Sequence, residues 1–405
     1  MEIRSVNEAD LKNKNVMVRV DYNVPMEGRV VLDNTRILES VPNIKYILES
    51  GAKKVILVSH LGRPVGSVVD DLRLKPIVSE LESLLGEEVD YFDVDVNTVT
   101  REMLNLSGKR VVCLENIRFD QREEEGSEEL AQLLAKLADV YVLDAFSVAH
   151  REHASVTKMA KYLESYGGLN LINEYEGISR FLNNIKKPFW GFFGGIKLED
   201  KMPVIQALAD KLDGIVFGSS IALAFLNRFG FGVGDSILAN NSDKSVNEFL
   251  DFLAKKSIKV VFPDDLVIGD AVSAKKTKVF DIDFNKIIQK EMPHSFVVCE
   301  EQEAIFDIGE KSIVKFNSIT NMAGSIFWNG PFGFVEKDDF KRGSEAIAIM
   351  IANSPAYTLV GGGDTVALLA NMDMKDKYNY VSTSGGAMMT YIAKGTLPGL
   401  EILNK

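Results

Sequence analysis

Short apolar runs alternate with longer amphipathic stretches along most of this 405-residue chain, and that alternation constrains the fold more than any other feature. In the first half the runs are residues 15–20, 54–58, 110–114 and 140–143. They are rich in Val, Ile and Leu with little polar alternation, the pattern of strands buried on both faces. Between them, residues 37–50 place Ile37, Val41, Ile44, Tyr46, Ile47 and Leu48 mainly on one helical stripe, with Gly51 positioned to end the helix. Residues 128–137 do the same with Leu130, Leu133, Leu134 and Leu137. The second half repeats the scheme, with strands expected at 188–193, 214–217, 258–262, 325–328, 357–360 and 378–381 and helices at 204–212 and 365–371. Strands alternating with helices imply parallel sheets covered on both faces. The expectation is therefore an α/β protein of two doubly wound, Rossmann-like domains, with the boundary near 166–176, where Gly167-Gly168 interrupts the pattern.

In such sheets ligands bind beyond the carboxyl ends of the strands. First-half runs end in polar groups: Asp21-Tyr22-Asn23, Ser59-His60-Leu61-Gly62-Arg63, Glu115-Asn116-Ile117-Arg118, and Asp144 through His150-Arg151. Arg36, Arg63, Arg118 and Arg151 at one rim of a chain with net charge −12 point to a small polyanion, because guanidinium groups clamp phosphate and carboxylate with paired hydrogen bonds. Second-half runs end in glycine: Gly194-Gly195-Ile196-Lys197, Gly218-Ser219-Ser220, Asn329-Gly330-Pro331, Gly361 through Thr365, and Ser384-Gly385-Gly386. Glycine admits close backbone approach, and amides opening a helix donate to phosphate, so this half suits a nucleotide. No Walker A loop or dinucleotide fingerprint occurs. Lys197 and Lys201 could present two cations to a polyphosphate, and Asp364 could hold Mg²⁺. His150 and His153 have metal-ligand spacing but no evident third ligand, and the run Glu123-Glu124-Glu125 reads as a solvated face.

The negative charge argues against a general nucleic-acid or anionic-membrane binder. Two cysteines exclude a disulfide scaffold and suit a reducing cytoplasm. No leader pattern opens the chain and no uninterrupted apolar stretch would span a bilayer, so a cytoplasmic protein is expected, and nothing demands more than a monomer.

Taken together these loops resemble phosphoglycerate kinases. The segments that carry the resemblance are Val18-Arg19-Val20-Asp21-Tyr22-Asn23-Val24-Pro25, Asp33-Asn34-Thr35-Arg36, Ser59-His60-Leu61-Gly62-Arg63-Pro64, Leu114-Glu115-Asn116-Ile117-Arg118-Phe119 and Ala149-His150-Arg151-Glu152-His153. Gly194-Gly195-Ile196-Lys197, Asp200-Lys201, Trp328-Asn329-Gly330-Pro331, Gly361-Gly362-Gly363-Asp364-Thr365 and Leu397-Pro398-Gly399 continue it. The resemblance implies reversible phosphoryl transfer from 1,3-bisphosphoglycerate to MgADP, giving 3-phosphoglycerate and MgATP. It implies an N-terminal phosphoglycerate domain over 1–170, a C-terminal nucleotide domain over 171–390, a tail over 391–405 returning to the first domain, and a hinge between the two. By position, Asp21, Asn23, Arg36, His60, Arg63, Arg118 and Arg151 match the phosphoglycerate site. Gly195, Lys197, Lys201, Gly218, Asn329, Glu336, Gly363, Asp364 and Thr365 match the nucleotide site, with Asp364 as magnesium ligand. Arg36, Lys197, Gly385 and Gly386 match the groups around the transferred phosphoryl. The chain departs from the family pattern at Ser147-Val148 for Gly-Thr, Ser219-Ser220 and Ser384 for glycines, and Leu198-Glu199 for Val-Ser.

Overall fold

A computed structural model describes residues 1–238, 243–288 and 297–404. The chain divides into two compact units, Met1–Glu176 together with Gly395–Lys405, and Gly177–Lys394. The passage from one to the other falls inside helix Leu169–Asn183.

The first unit is built on a six-stranded sheet, in spatial order Val89–Phe92, Val111–Leu114, Lys54–Val58, Asn15–Arg19, Val140–Leu143, Glu164–Gly167, with every pair parallel. Its central strands are buried end to end: their middles are apolar, and the polar ends Asn15, Arg19 and Lys54 are buried with them. Val16, Val18, Val55, Leu57, Val111 and Val140 share one core with Ile37, Val41, Ile44 and Ile47 of helix Thr35–Glu49 and Ile77 and Leu81 of helix Lys75–Leu85. Removing each such side chain from water contributes about 1.5–3 kcal/mol. Gly51 follows the first helix at φ 84°, a left-handed position that a side chain would disfavour. The end of the chain packs on this unit: Arg4 N–H donates to Leu403 O at 2.9 Å and Gly399 N–H to Ala149 O at 2.8 Å.

The second unit repeats the plan. Its six-stranded parallel sheet runs Lys259–Val261, Gly214–Phe217, Phe189–Phe193, Ser325–Asn329, Tyr357–Gly361, Tyr380–Ser382. Trp328, with no exposed surface, anchors a core shared with Phe192, Phe316, Phe332 and Ile347. The two doubly wound sheets are those the alternation predicts.

Several elements were not legible. A three-stranded antiparallel sheet, Lys276–Asp281, Asp265–Asp270, Glu303–Ile308, belongs to the second unit beside its large sheet. Its edge strand reads Lys-Thr-Lys-Val-Phe-Asp and is mostly exposed, so it has no apolar run to detect. Val89–Phe92 and Glu164–Gly167, the outer strands of the first sheet, escape because neither is an apolar run: one carries an Asp, the other reads Glu-Ser-Tyr-Gly.

In both large sheets the chain adds strands to one side and then to the other. The reversal falls between Asn15–Arg19 and Val140–Leu143 in the first unit, and between Phe189–Phe193 and Ser325–Asn329 in the second. Crossovers diverge at such a point and leave a crevice at the carboxyl ends of the strands.

Candidate active site

At the first reversal, Ser147 reaches across to donate a hydrogen bond to Asp21 Oδ2. Arg36 Nη1 donates to the same oxygen at 2.7 Å and to Asn23 O at 3.0 Å. Asn23 is held in turn, its amide donating to Asp21 Oδ1 at 2.9 Å and its Oδ1 accepting from Gly62 N–H at 2.8 Å. Arg118 is nearly buried; its Nη1 donates to Gly62 O at 2.8 Å and its Nε lies 3.2 Å from Glu124 Oε1. His60 is buried, with Nδ1 at 3.2 Å from Arg19 Nη2 and 3.9 Å from Asp21 Oδ1. Arg63 stands exposed just past Gly62, and Arg151 is half-buried. The structure thus brings Asp21, Asn23, Arg36, His60 and Arg118 into one connected cluster.

The electrostatics follow from this crowding. Burial alone would raise the Asp21 carboxyl; the Arg36 guanidinium and the hydrogen bonds from Ser147 and the Asn23 amide outweigh it and hold Asp21 below the usual carboxylate range. Burial pushes His60 well below its ordinary value; Asp21 pulls the other way, while Arg19, Arg118 and Arg36 add to the depression, so the ring is neutral near pH 7. Asp144 belongs to the helix rather than to the cluster: its Oδ1 accepts from the amides of Asn170 and Leu171, and burial pushes it up to about 7.

Two residues correct the sequence reading. Glu123, expected on a solvated face, has no exposed surface; its carboxylate accepts from Ser155 N–H at 2.8 Å and Ser155 Oγ–H at 2.7 Å. Arg19, not singled out among the candidates, is fully buried at the end of its strand.

His153 lies beside Glu123, Nδ1 to Oε1 3.7 Å, and burial with the fields of Arg118, Arg19 and Arg151 lowers it to about 3. In a ¹H–¹³C titration its ring is expected to stay neutral from pH 8 to about pH 5. The unfolded chain takes up this proton near pH ~6.5. The stability gained by keeping the ring neutral is therefore whole above that value and drains away as pH falls toward about 3. A ring that protonates at its ordinary pH would contradict this burial.

At the second reversal lies a cleft of about 360 Å³, within the range of small-ligand sites. Gly195, Lys197, Lys201, Asn329, Glu336, Gly363, Asp364 and Thr365 all line it, with Ser220, Leu223 and Phe334 among the residues that complete the wall. Gly194 and Gly330 cross with backbones in contact, Gly194 N–H donating to Asn329 O at 3.0 Å and Gly195 N–H to Pro331 O at 2.9 Å. Lys201 Nζ donates to Asn329 Oδ1 at 2.5 Å, and Asn329 Nδ2 to Gly361 O at 2.8 Å. Thr365 Oγ1 accepts from Gly330 N–H at 3.0 Å, tying the opening of helix Gly363–Asn371 to the neighbouring loop. Burial lowers the Lys201 ammonium against the opposing pull of Asp200 and Asp364. Gly218 lies behind the lining, against Phe332, and Ser219 is spent on Phe332 O at 2.7 Å. Gly385, at φ 48°, and Gly386 open helix Gly386–Lys394 outside that lining.

Asp364 is exposed in the first turn of its helix and faces this cleft. Among the described residues no three His, Cys, Asp or Glu side chains converge as a metal site. A lone carboxylate beside glycine loops and lysines nevertheless suits Mg²⁺, which takes one or two carboxylates and completes its shell with phosphate oxygens and water.

Two Rossmann-like sheets, one with cations clustered at its reversal and the other with crossed glycine loops and lysines, define the class of two-unit, doubly wound α/β proteins. The family model described as phosphoglycerate kinase matches residues 6–394. A phosphoglycerate kinase of Roseiflexus sp. (strain RS-1) is 37% identical over 407 residues, covering 100% of both chains. That of Dictyoglomus turgidum (strain DSM 6724 / Z-1310) is 38% identical over 404 residues, covering 99% of this chain and 98% of its own. The solved phosphoglycerate kinase of Coxiella burnetii superposes with a TM-score of 0.81 at 33% identity over 99% of each chain. That of Pyrococcus horikoshii OT3 gives 0.80 at 27% identity, over 99% of this chain and 98% of the other. The chain belongs to the phosphoglycerate kinase family. It is a glycolytic kinase that transfers a phosphoryl group to and from a carboxyl group. No helix among the described residues is long and apolar enough to cross a membrane.

Proposed function

We propose that the first unit holds 3-phosphoglycerate or 1,3-bisphosphoglycerate on Asp21, Asn23, Arg36, His60, Arg63, Arg118 and Arg151, and that the second holds ADP or ATP in the 360 Å³ cleft. The observation that carries this division is that each cluster occupies the carboxyl-end crevice at its own sheet's reversal. Lys197 and Lys201 neutralise the nucleotide phosphates, Glu336 accepts from ribose hydroxyls, and Asp364 holds Mg²⁺. The ion, when bound, offsets phosphate charge.

The chemistry needs no general base. A terminal oxygen of the ADP β-phosphate, already anionic, attacks the phosphorus of the acyl phosphate. The bond from phosphorus to the carboxyl oxygen breaks, and the carboxylate leaves with the electron pair, so no proton moves. What remains is alignment and charge neutralisation of a loose phosphoryl group. Arg36, Lys197 and the amides of Gly385 and Gly386 supply it.

In-line transfer needs reacting atoms about 3–3.5 Å apart. Ligands carried by different units must therefore be brought together by a hinge, with helix Leu169–Asn183 and the turn after Tyr380–Ser382 as the segments that absorb the rotation. Closure also keeps water from the acyl phosphate. Small-angle scattering is expected to show a smaller radius of gyration only with 3-phosphoglycerate and MgATP together. The same curves are expected to give the mass of one monomer, 44.9 kDa. An unchanged radius in the doubly bound, turning-over enzyme would refute closure.

A further inference from the structure

Behind the cationic cluster, buried polar side chains that the reaction as described does not use lead up to His60. Arg19, Glu123, Ser155 and His60 are each at least nine-tenths buried. Arg19 Nε–H donates to Ser155 Oγ at 2.8 Å, and Ser155 Oγ–H donates to Glu123 Oε1 at 2.7 Å. Arg19 Nη1 donates to Val20 O, and Nη2 lies 3.2 Å from His60 Nδ1.

The direction of each of these bonds follows from what each group can do. A carboxylate only accepts, so the single Ser155 proton points at Glu123 and its lone pairs face Arg19. A guanidinium only donates, so at the Arg19–His60 contact the acceptor must be Nδ1. The other acceptor within sight of Nδ1, Asp21 Oδ1, is 3.9 Å away, too far for Nδ1–H to donate to it. A second ring proton is disfavoured by Arg19, Arg118 and Arg36 around a buried imidazole. The proton of the neutral ring therefore sits on Nε2.

We propose that Glu123, Ser155 and Arg19 are positioning residues that fix His60 with Nδ1 as acceptor and Nε2–H as the ring's donor, ready for an anionic oxygen of the phosphoglycerate. Glu123 supplies the countercharge that keeps a fully buried guanidinium in place, and Ser155 transmits its direction. Without them Arg19 could swing off Nδ1, and the ring could take the other tautomer, which presents an acceptor where a donor is needed. The functional half of this inference rests on placing His60 in the phosphoglycerate site; the tautomer does not.

Selective ¹⁵N-histidine labelling tests the two halves separately. The chain has four histidines, and His60→Gln identifies the His60 signals. In the wild-type protein without substrate, His60 is expected to show a protonated Nε2 and a bare Nδ1; the reverse overturns the proposal without any variant. In Ser155→Ala and Glu123→Gln the Nδ1-protonated form is expected to appear. KM for 3-phosphoglycerate is expected to rise about tenfold and KM for MgATP to change less than about twofold. Ser155→Thr, which keeps the hydroxyl, is expected to restore both readouts. Folded Ser155→Ala and Glu123→Gln proteins with the wild-type tautomer would overturn the relay. A changed tautomer with an unchanged KM for 3-phosphoglycerate would uphold the relay and remove His60 from the substrate site.

Discussion

Arg36→Ala is expected to lower kcat by at least about 100-fold, the typical loss when one preorganised donor to a developing charge is removed. Both of its contacts in the substrate-free site, Asp21 Oδ2 and Asn23 O, engage the same nitrogen, Nη1. These two bonds aim the guanidinium, which is about one-third exposed. The charge is thus held in place before the phosphoryl group arrives and costs little reorganisation when it does. Arg36 lies in the first unit and the cleft proposed for the nucleotide in the second, so KM for MgATP should change little. Lys197→Ala should show the same dominance of kcat, because Lys197 is an exposed cation lining the cleft and is proposed to neutralise the transferred phosphoryl. Steady-state kinetics in both directions would check the pair. If both variants kept kcat within about tenfold, a loss of under about 1.4 kcal/mol, neither residue could have the role assigned.

Gly194→Ala is expected to damage fold and site together. A β-carbon there would lie 2.0 Å from Pro331 O and 2.7 Å from Gly330 O. Both are backbone atoms of the neighbouring loop, so no side-chain rotation can make room. The loops after Phe189–Phe193 and Ser325–Asn329 would have to separate, breaking the Gly194–Asn329 and Gly195–Pro331 hydrogen bonds. Forced overpacking of this kind costs about 1–3 kcal/mol. For a unit of this size that lowers Tm by roughly 3–10 °C. Because Gly195, Asn329 and Gly330 line the cleft, KM for MgATP should rise by more than about tenfold. Thermal unfolding beside nucleotide titration measures both; wild-type values for both would show that the crossing yields freely. Gly363→Ala makes a useful contrast, since a β-carbon there meets nothing within 4 Å.

Much of the architecture could be read from the order of residues. A strand buried on both faces carries an apolar run with little polar alternation, so Lys54–Val58, Val140–Leu143 and Gly214–Phe217 announced themselves. The strand ends then marked the candidate site, because a parallel sheet places its binding crevices there. Exposed edges were silent: Lys276–Asp281 carries its charges outward and has no pattern to distinguish it from a loop.

Glu123 shows where reading along the chain fails. Beside Glu124 and Glu125 it looks like one more surface acid, yet it alone turns inward to Ser155, 32 residues away. Arg19 is likewise indistinguishable in sequence from a strand residue whose side chain reaches solvent, until the segment Ala154–Lys158 closes over it.

Periodicity and strand-end chemistry, both local properties of the amino-acid order, determined that this chain forms two wound sheets with an anion-seeking end and a glycine-lined end. Burial, partner and protonation were decided only by the tertiary structure. Which acid is dry, which imidazole nitrogen is bare and which glycine touches a neighbour's backbone depend on distances between segments far apart in the chain. Electrostatic and steric energies follow those distances, and no ordering of residues states them.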